Sequence, residues 1–447
     1  MTTTATWPDA RALKTAADTA ARHAAEADTG GRLADATVRA LAAAGFTAGF
    51  APAGQGGAGA TFTQMTDAVS AIGEGCTSAA WIASLWAYNG RFSAYLPEEG
   101  QREVWAKGPD TRLVSSMVAA GVEAEPVDGG WRLSGSWLYV SGVEFADWAL
   151  VSSAPPREGD RSIRVFAVPR DSFTYRETWS TLGMRATGSH TLVVEEAFVP
   201  EYRSFLWDDM RQGNLPAPAA RSGQDGADGS HIRPNSETPS AADAGSFSGP
   251  ASASLSGTAS SSTPGPLSGT ASSSAPGPLS GAESGSLSGT DAVSAVHSAP
   301  LFAVNGLTFA APILGAARQA LRLVEEHLAQ QPSGARAAAR ESHRIALARA
   351  AGEIDAAALL LARVADTADR GLLREDGVAV RSHRDSTLAV ELLVGAVDRL
   401  FRVTGTRGQA TSHAMQRIWR DVHGAGSHAA LQFEPAALAY TQRLIAA

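Results

Sequence analysis

The chain has 447 residues, 44% hydrophobic and 18% charged, the composition of a folded protein with room for two or three domains. Acidic side chains outnumber basic ones, 45 to 37, so the basic face that a nucleic-acid binder presents is not expected. A single cysteine, Cys76, rules out an intramolecular disulfide and suits a reducing compartment.

Residues 1–25 include Asp9 and Asp18 and lack an unbroken apolar run, so no secretion signal is expected. No stretch approaches the roughly 20 uninterrupted apolar residues of a membrane span, and the expectation is a soluble, cytoplasmic protein. Over 8–46, Leu13, Ala17, Ala20 and Ala24, then Leu33, Val38, Leu41 and Phe46, recur at helical spacing on either side of a TGG break. A glycine-rich loop follows at 51–60, then helix over 62–87 and a short helix over 96–108 whose acidic residues fall in the first turn. The glycines of GQGGAG (54–59) do not form a dinucleotide fingerprint, because no strand precedes them and the spacing is wrong.

The texture changes at Thr111. RLVSSMVAA, GWRLSGSWLYVSG, WALVSSA, SIRVFAVP and HTLVVEEAFVP are short β-rich runs punctuated by Gly, Pro and Asp, and predict a compact antiparallel domain over 111–205. Ser, Gly, Ala, Pro and Thr then dominate 213–299, where LSGTASSSTPGP (255–266) is repeated at once as LSGTASSSAPGP (267–278). With one leucine per repeat, this run has too little apolar surface to offset its ordering entropy, and it is read as a disordered insert. From Leu301 helical periodicity returns, with three long amphipathic helices and two shorter ones at 411–422 and 434–446, a pattern that predicts a bundle.

Four blocks fall in an order that resembles the acyl-CoA dehydrogenase superfamily: WIASLWAYNGRFSAYLPEEGQREVW (81–105), GGWRLSGSWLYVSGVEFADWALV (129–151), TLGMRATGSHTLVVEEAFVPE (181–201) and QRIWRDVHGAGSH (416–428). The resemblance implies a mostly α, α+β fold: an N-terminal helical domain (1–110), a middle antiparallel, barrel-like β-domain (111–205), the disordered insert (206–299) and a C-terminal helical bundle (300–447). Within the superfamily the likeness is greatest to the two-component flavin-dependent monooxygenases. Such enzymes take reduced flavin, FMNH2 or FADH2, from a separate NAD(P)H-dependent flavin reductase, form a C4a-hydroperoxyflavin with molecular oxygen, and hydroxylate small aromatic or polyketide-like molecules. Most are homotetramers. N-oxygenation of an amine or amino sugar on the same scaffold is the first alternative. The second is an FAD-dependent acyl-CoA dehydrogenase, whose catalytic glutamate would have to be relocated to Glu353 or Glu391, since GAGSHAAL near the C-terminus has no carboxylate.

The resemblance also nominates residues. His428 stands where these monooxygenases place a histidine beside flavin C4a, and Ser141, in YVSG, is the expected donor to flavin N5, on the same strand face as Tyr139 two residues earlier. Ser115, Ser116, Trp137, Thr187 and Ser189 are expected around the ring or its phosphate, with Arg318 reaching the cofactor and Arg407 reaching that of a neighbouring subunit. Where related ring hydroxylases carry a histidine that ionises a phenol, this chain has Asn89, which cannot act as a base near neutral pH; Tyr88 or His190 would stand in at the substrate. His423, about 140° away from His428 on a helix, is expected to pack rather than share a metal, and Arg420 and Asp421 to pair with each other. No His/Cys/Asp cluster has metal-ligand spacing.

Overall fold

The structure, a computed structural model, describes residues 7–153, 163–216, 295–330 and 337–446, without the side chains of 337–340. The expected disordered insert lies mostly outside the described residues, but its flanks do not: Trp207–Gln212 (α6) and residues 295–298 are helical.

The N-terminal part comprises α1 (Ala10–Gly30), α2 (Asp35–Ala43), α3 (Phe62–Gly73), α4 (Thr77–Phe92) and α5 (Glu98–Val104). Asp9 caps α1, its carboxylate accepting from the Ala12 amide at 2.7 Å. The start of α3 is held twice, by a Thr61/Gln64 capping box and by Asp369 from the far end of the chain, which takes the Phe62 and Thr63 amides at 2.6 and 2.9 Å. The single helix expected over 62–87 divides at Glu74–Cys76 into α3 and α4.

The C-terminal part comprises α7 (Leu301–Ala329), α8 (Ala337–Asp369), α9 (Val378–Gly408), α10 (Ala414–Gly426) and α11 (Phe433–Ala446). Its helices share one continuous apolar core with α1, α3 and α4, so the two helical segments bury each other although about 200 residues separate them in sequence. α7 is long and apolar enough to cross a bilayer, yet 83% of its apolar window is buried inside the protein, where it serves as the central core helix.

Two features shape α7. Pro312 has no N–H, so the Thr308 carbonyl four residues back loses its helical donor; Ser84 of α4 supplies one from its hydroxyl at 2.7 Å. One turn on, Gly315 crosses α3 so closely that a Cβ there would sit 2.1 Å from the Ser70 carbonyl, while a Cβ on Gly73 would sit 2.7 Å from the Pro312 carbonyl.

Between the helical parts, eight strands form two four-stranded sheets, in orders β1-β4-β5-β8 and β2-β3-β7-β6. The strands are β1 (Leu113–Ser116), β2 (Ala119–Val127), β3 (Gly130–Val140), β4 (Trp148–Ser152), β5 (Arg164–Pro169), β6 (Thr174–Arg176), β7 (His190–Pro200) and β8 (Ser204–Leu206). Their inner faces pack together through Leu133, Val151, Phe166, Val168, Leu192 and Val194. The β-rich run RLVSSMVAA crosses between sheets at Met117–Val118, and β1 pairs parallel with β4 where an antiparallel domain was expected.

The described chain ends that flank residues 217–294 are tied together. Arg374 donates to the Gly213 carbonyl at 2.7 Å and the Ser298 carbonyl at 3.3 Å. Fully buried Arg91 donates to the carbonyls of Val296, at 2.6 Å, and Ala299, and Tyr95 to that of His297 at 2.5 Å.

This packing can be tested at the helix crossing and at the tied ends. Gly315→Ala should lower the thermal midpoint by several degrees, since the new methyl meets backbone that cannot rotate away and such overpacking costs about 1–3 kcal/mol; an unchanged melting curve would mean that α3 and α7 do not cross as described. Replacing 217–294 by a Gly/Ser linker of roughly six residues should leave the midpoint within about two degrees of wild type, because the ends are already fixed side by side and closing a shorter loop changes the entropy little.

Candidate active site

The site begins where the β3–β7 pairing slips, between Trp137 and Val140. Tyr139 there adopts a positive φ of 60°, a conformation costing a non-glycine residue about 1–3 kcal/mol, and its ring swings out to 62% exposure, edge-on to Trp179. The two-residue alternation that would align Tyr139 with Ser141 is therefore broken. Ser141 instead faces a file of hydroxyls: its Oγ is 2.7 Å from Ser189 Oγ, which is 2.7 Å from Thr187 Oγ1, which donates to the Met184 carbonyl at 2.8 Å. The Gly142 amide donates to the Thr187 carbonyl at 2.8 Å, so the strand end and the 184–189 segment are joined by backbone as well.

Trp81 of α4 connects this file to the bundle. Its Nε1 donates to Ser141 Oγ at 3.3 Å, and its ring lies 4.8 Å from that of Phe309 on α7 and 5.7 Å, edge-on, from that of His428. Phe309 in turn stacks on the His428 imidazole with centroids 3.9 Å apart. Ser141 and His428, 287 residues apart, thus border the same indole.

His428 caps the short turn Ala429–Leu431, its Nδ1 accepting from the Ala430 amide at 3.2 Å. Burial among the aromatic rings pushes its pKa down to about 4. The neutral ring is therefore the form present near pH 7, and with Nδ1 accepting, the proton sits on Nε2, which has no hydrogen-bond partner among the described residues.

The 182–188 segment is anchored from two sides. Asp421 of α10, buried, accepts from the Met184 amide at 2.6 Å, and the Met184 carbonyl also receives Trp179 Nε1 at 2.9 Å. Arg420 does not pair with Asp421 as expected; it donates to both carboxylate oxygens of Asp28 on α1, at 3.2 and 2.6 Å, and to the Leu182 carbonyl. Gly183 lies against α10 so closely that a Cβ would fall 2.0 Å from the Arg420 carbonyl.

Several sequence candidates sit elsewhere. Trp137 is fully buried between the sheets, with Nε1 donating to the Ser152 carbonyl at 2.8 Å, so it is core and not a flavin wall. Asn89 is also spent: its Nδ2 donates to the Leu113 carbonyl at 3.0 Å and its Oδ1 accepts from Ser115 Oγ at 2.8 Å, which makes the pair a strut between α4 and β1 rather than a substrate contact. Ser116 Oγ donates to the Leu138 carbonyl at 2.7 Å. His190 Nδ1 accepts from the Thr178 and Trp179 amides, each at 3.2 Å, leaving Nε2 as the protonated nitrogen and no free base. Tyr88 lies seven residues after Trp81 on the same face of α4; its hydroxyl is buried, partnerless and pushed far above the usual phenol range by burial. Arg318, nine residues and a half-turn of azimuth from Phe309, points at α3, where it donates to Ser70 Oγ at 3.1 Å. Arg407 is exposed near the end of α9. His423 packs on Trp419 and meets Asp398 at 3.0 Å.

Comparison with known proteins places the chain in a family. Residues 9–106 match the N-terminal domain of acyl-CoA dehydrogenases and residues 307–433 match their C-terminal domain. The chain belongs to the acyl-CoA dehydrogenase family. This family member is similar to "Flavin-dependent monooxygenase, oxygenase subunit HsaA" of Rhodococcus jostii (strain RHA1), 26% identical over 92% of this chain and 91% of the relative. Over a shorter stretch, 37% of this chain and 41% of the relative, it is 35% identical to the FADH(2)-dependent resorcinol hydroxylase, oxygenase component, of a Rhizobium species. Its fold is that of XiaF from a Streptomyces species, solved in complex with FADH2 and glycerol, with a TM-score of 0.74 over 98% of this chain and 96% of that one at 24% identity. Within the family it stands with the flavin-dependent monooxygenases.

Trp81, Phe309, Met184 and Asp421 were not singled out from the sequence for the site. Trp81, Met184 and Asp421 lay inside recognised blocks, but nothing local distinguishes an aromatic at helical spacing that borders a site from one that fills a core.

Asp421 offers a test of the anchor. Burial pushes its carboxyl up to about 6, above the roughly 3.9 of an unfolded chain, so the folded state binds the proton more tightly. That contribution is fully present below about pH 3.9 and lost as pH rises through about 6. An asparagine in its place does not titrate, so the midpoint of Asp421→Asn relative to wild type should climb between about pH 4 and 7. A difference that stays flat across the range would show that the carboxyl is not held as described.

Proposed function

We propose that this protein is the oxygenase component of a two-component system, taking reduced flavin from a separate NAD(P)H-dependent reductase and hydroxylating a small aromatic or polyketide-like substrate. The carrying observation is the meeting of Ser141 and His428 across Trp81, with a free lone pair on one and an unpartnered Nε2–H on the other. The residues fit a flavin edge: small hydroxyls and a glycine on the β-domain side and flat aromatic rings on the helical side, with the one carboxylate beside that glycine, Glu144, paired to Arg32. When bound, reduced flavin supplies the electrons that activate oxygen for insertion into substrate.

The protein's share of the work is then positioning, proton control and exclusion of water. His428, neutral from alkaline pH down to about 5, donates Nε2–H without releasing a proton into the pocket. Phe309 and Trp81 shield that donor, which limits the water access that would divert oxygen to peroxide. Ser84 matters indirectly, since it satisfies the carbonyl freed by Pro312 in the turn that carries Phe309. Tyr88, seven residues along α4 from Trp81, is packed on Phe50 and Phe62, and burial keeps its hydroxyl protonated. Neither Tyr88 nor Asn89 is equipped to ionise a phenol, which favours a substrate already electron-rich. We further propose a cytoplasmic homotetramer in which exposed Arg407 meets a neighbouring copy's cofactor.

The dehydrogenase alternative finds no support in either relocated base. Glu353 is held by Arg399, at 2.7 and 2.9 Å, and by Arg349 at 2.9 Å, and Glu391 is exposed.

Anaerobically reduced FMN or FAD mixed with the protein and then with oxygen should reoxidise more slowly than free flavin. His428→Ala and Ser141→Ala should each shorten the delay by roughly tenfold or more and shift oxygen consumption toward hydrogen peroxide. Reoxidation by wild type at the rate of free flavin, together with oxidation of acyl-CoA thioesters, would reverse the reading. Because His428 stays neutral to about pH 5, product formed per reduced flavin should be level from about pH 8 to 5 and decline as pH approaches about 4.

A further inference from the structure

Each hydroxyl in the file behind Ser141 has one proton, and their order fixes where each proton points. Met184 offers a carbonyl, which only accepts, so making all three contacts of the file hydrogen bonds sends the Thr187 proton to it. Thr187 Oγ1 can then only accept from Ser189, whose single proton is thereby used. Ser189 Oγ must accept in turn from Ser141, so the Ser141 proton is also committed, pointing away from the pocket. On its other side Ser141 Oγ receives the Trp81 indole N–H. What remains on Ser141 is a lone pair.

The arrangement is hard to reverse. Thr187 and Ser189 are 1% and 4% exposed, so water does not offer the displaced protons an alternative. The Met184 carbonyl is itself held, with Asp421 gripping the amide of the same residue at 2.6 Å. For Ser141 to turn its proton toward the pocket, a hydrogen bond between two shielded oxygens has to be given up.

We propose that Ser189 and Thr187 are positioning residues that orient the Ser141 hydroxyl as an acceptor, so that the pocket selects reduced over oxidised flavin. This rests on the flavin reading above and replaces the expectation that Ser141 is a donor to N5. Reduced isoalloxazine carries a hydrogen on N5 and donates; oxidised isoalloxazine has a bare N5 and only accepts. An acceptor facing N5 matches the first and opposes the second with lone pair against lone pair. The same preference lets the site capture reduced flavin from a reductase and release the spent form.

The test is binding, measured without turnover. Dissociation constants for oxidised FMN and FAD, and for the same flavins reduced anaerobically, are compared by fluorescence or calorimetry in wild type, Ser189→Ala, Thr187→Val and Thr187→Ser. Wild type should favour the reduced form. Ser189→Ala frees the Ser141 proton to reach a bare N5, so the ratio of oxidised to reduced dissociation constants should fall by roughly fivefold to tenfold, chiefly through tighter oxidised-flavin binding. Thr187→Val should move the ratio the same way, and Thr187→Ser, which keeps both acceptor and proton, should restore it. If Ser189→Ala and Thr187→Val leave the ratio unchanged, or weaken both redox forms by one factor, the hydroxyl assignment is overturned while the flavin reading stands. If wild type binds neither form, the flavin reading itself falls.

Discussion

The backbone of one residue, Met184, ties the β-domain to the C-terminal bundle. Its amide is taken by a carboxylate from the C-terminal bundle, and its carbonyl receives an indole and a threonine hydroxyl from the β-domain. The residue sits at a positive φ of 56°, a backbone state that persists only where surroundings over-determine it. Next to it, Arg420 joins α1, α10 and the same loop through Asp28 and the Leu182 carbonyl. Everything the site requires from the β-domain, from Thr187 to Ser141, hangs from this point.

The helical side of the pocket obeys a different constraint, close approach of backbone. α7 reaches the position from which Phe309 covers His428 because glycine at 73 and 315 lets it lie against α3, and because proline at 312 frees a carbonyl that α4 then claims through Ser84. Polar satisfaction and packing act together here: the hydroxyl that completes the broken helical ladder also fixes the distance between α4 and α7. Trp81, one turn earlier on α4, is thereby set between serine and histidine.

The proposed site divides its chemistry between two surfaces of opposite character. The β-domain contributes a hydrogen-bonded file whose proton directions follow from an obligate acceptor at its end. The bundle contributes a histidine kept neutral by apolar surroundings and free to donate through one nitrogen. The acidic groups close by are turned to structural work: Glu144, whose Oε1 lies against Gly188, pairs with Arg32, Asp28 with Arg420, and Asp421 with the Met184 amide.

Local sequence patterns carried the helix–strand–helix order, the bundle, and the sequence blocks in which Ser141, Ser189 and His428 stand, because helical periodicity, strand composition and short blocks are properties of neighbouring residues. They did not carry the division of 62–87 at Gly75, the parallel pairing of β1 with β4, or the reversal at Tyr139, each of which is settled by contacts with distant chain. Asn89, placed by the resemblance on the substrate side, and Ser115, expected at the flavin, prove to be partners of each other. Trp137 and Trp81 are both aromatic residues in recognised blocks, yet one closes the β-core and the other joins Ser141 to His428. Residue type and spacing determined which groups were available. Only the tertiary structure decided which of them were already satisfied, because a hydrogen bond or a buried ring is used up by whichever partner the fold brings to it, and that partner is seldom near in sequence.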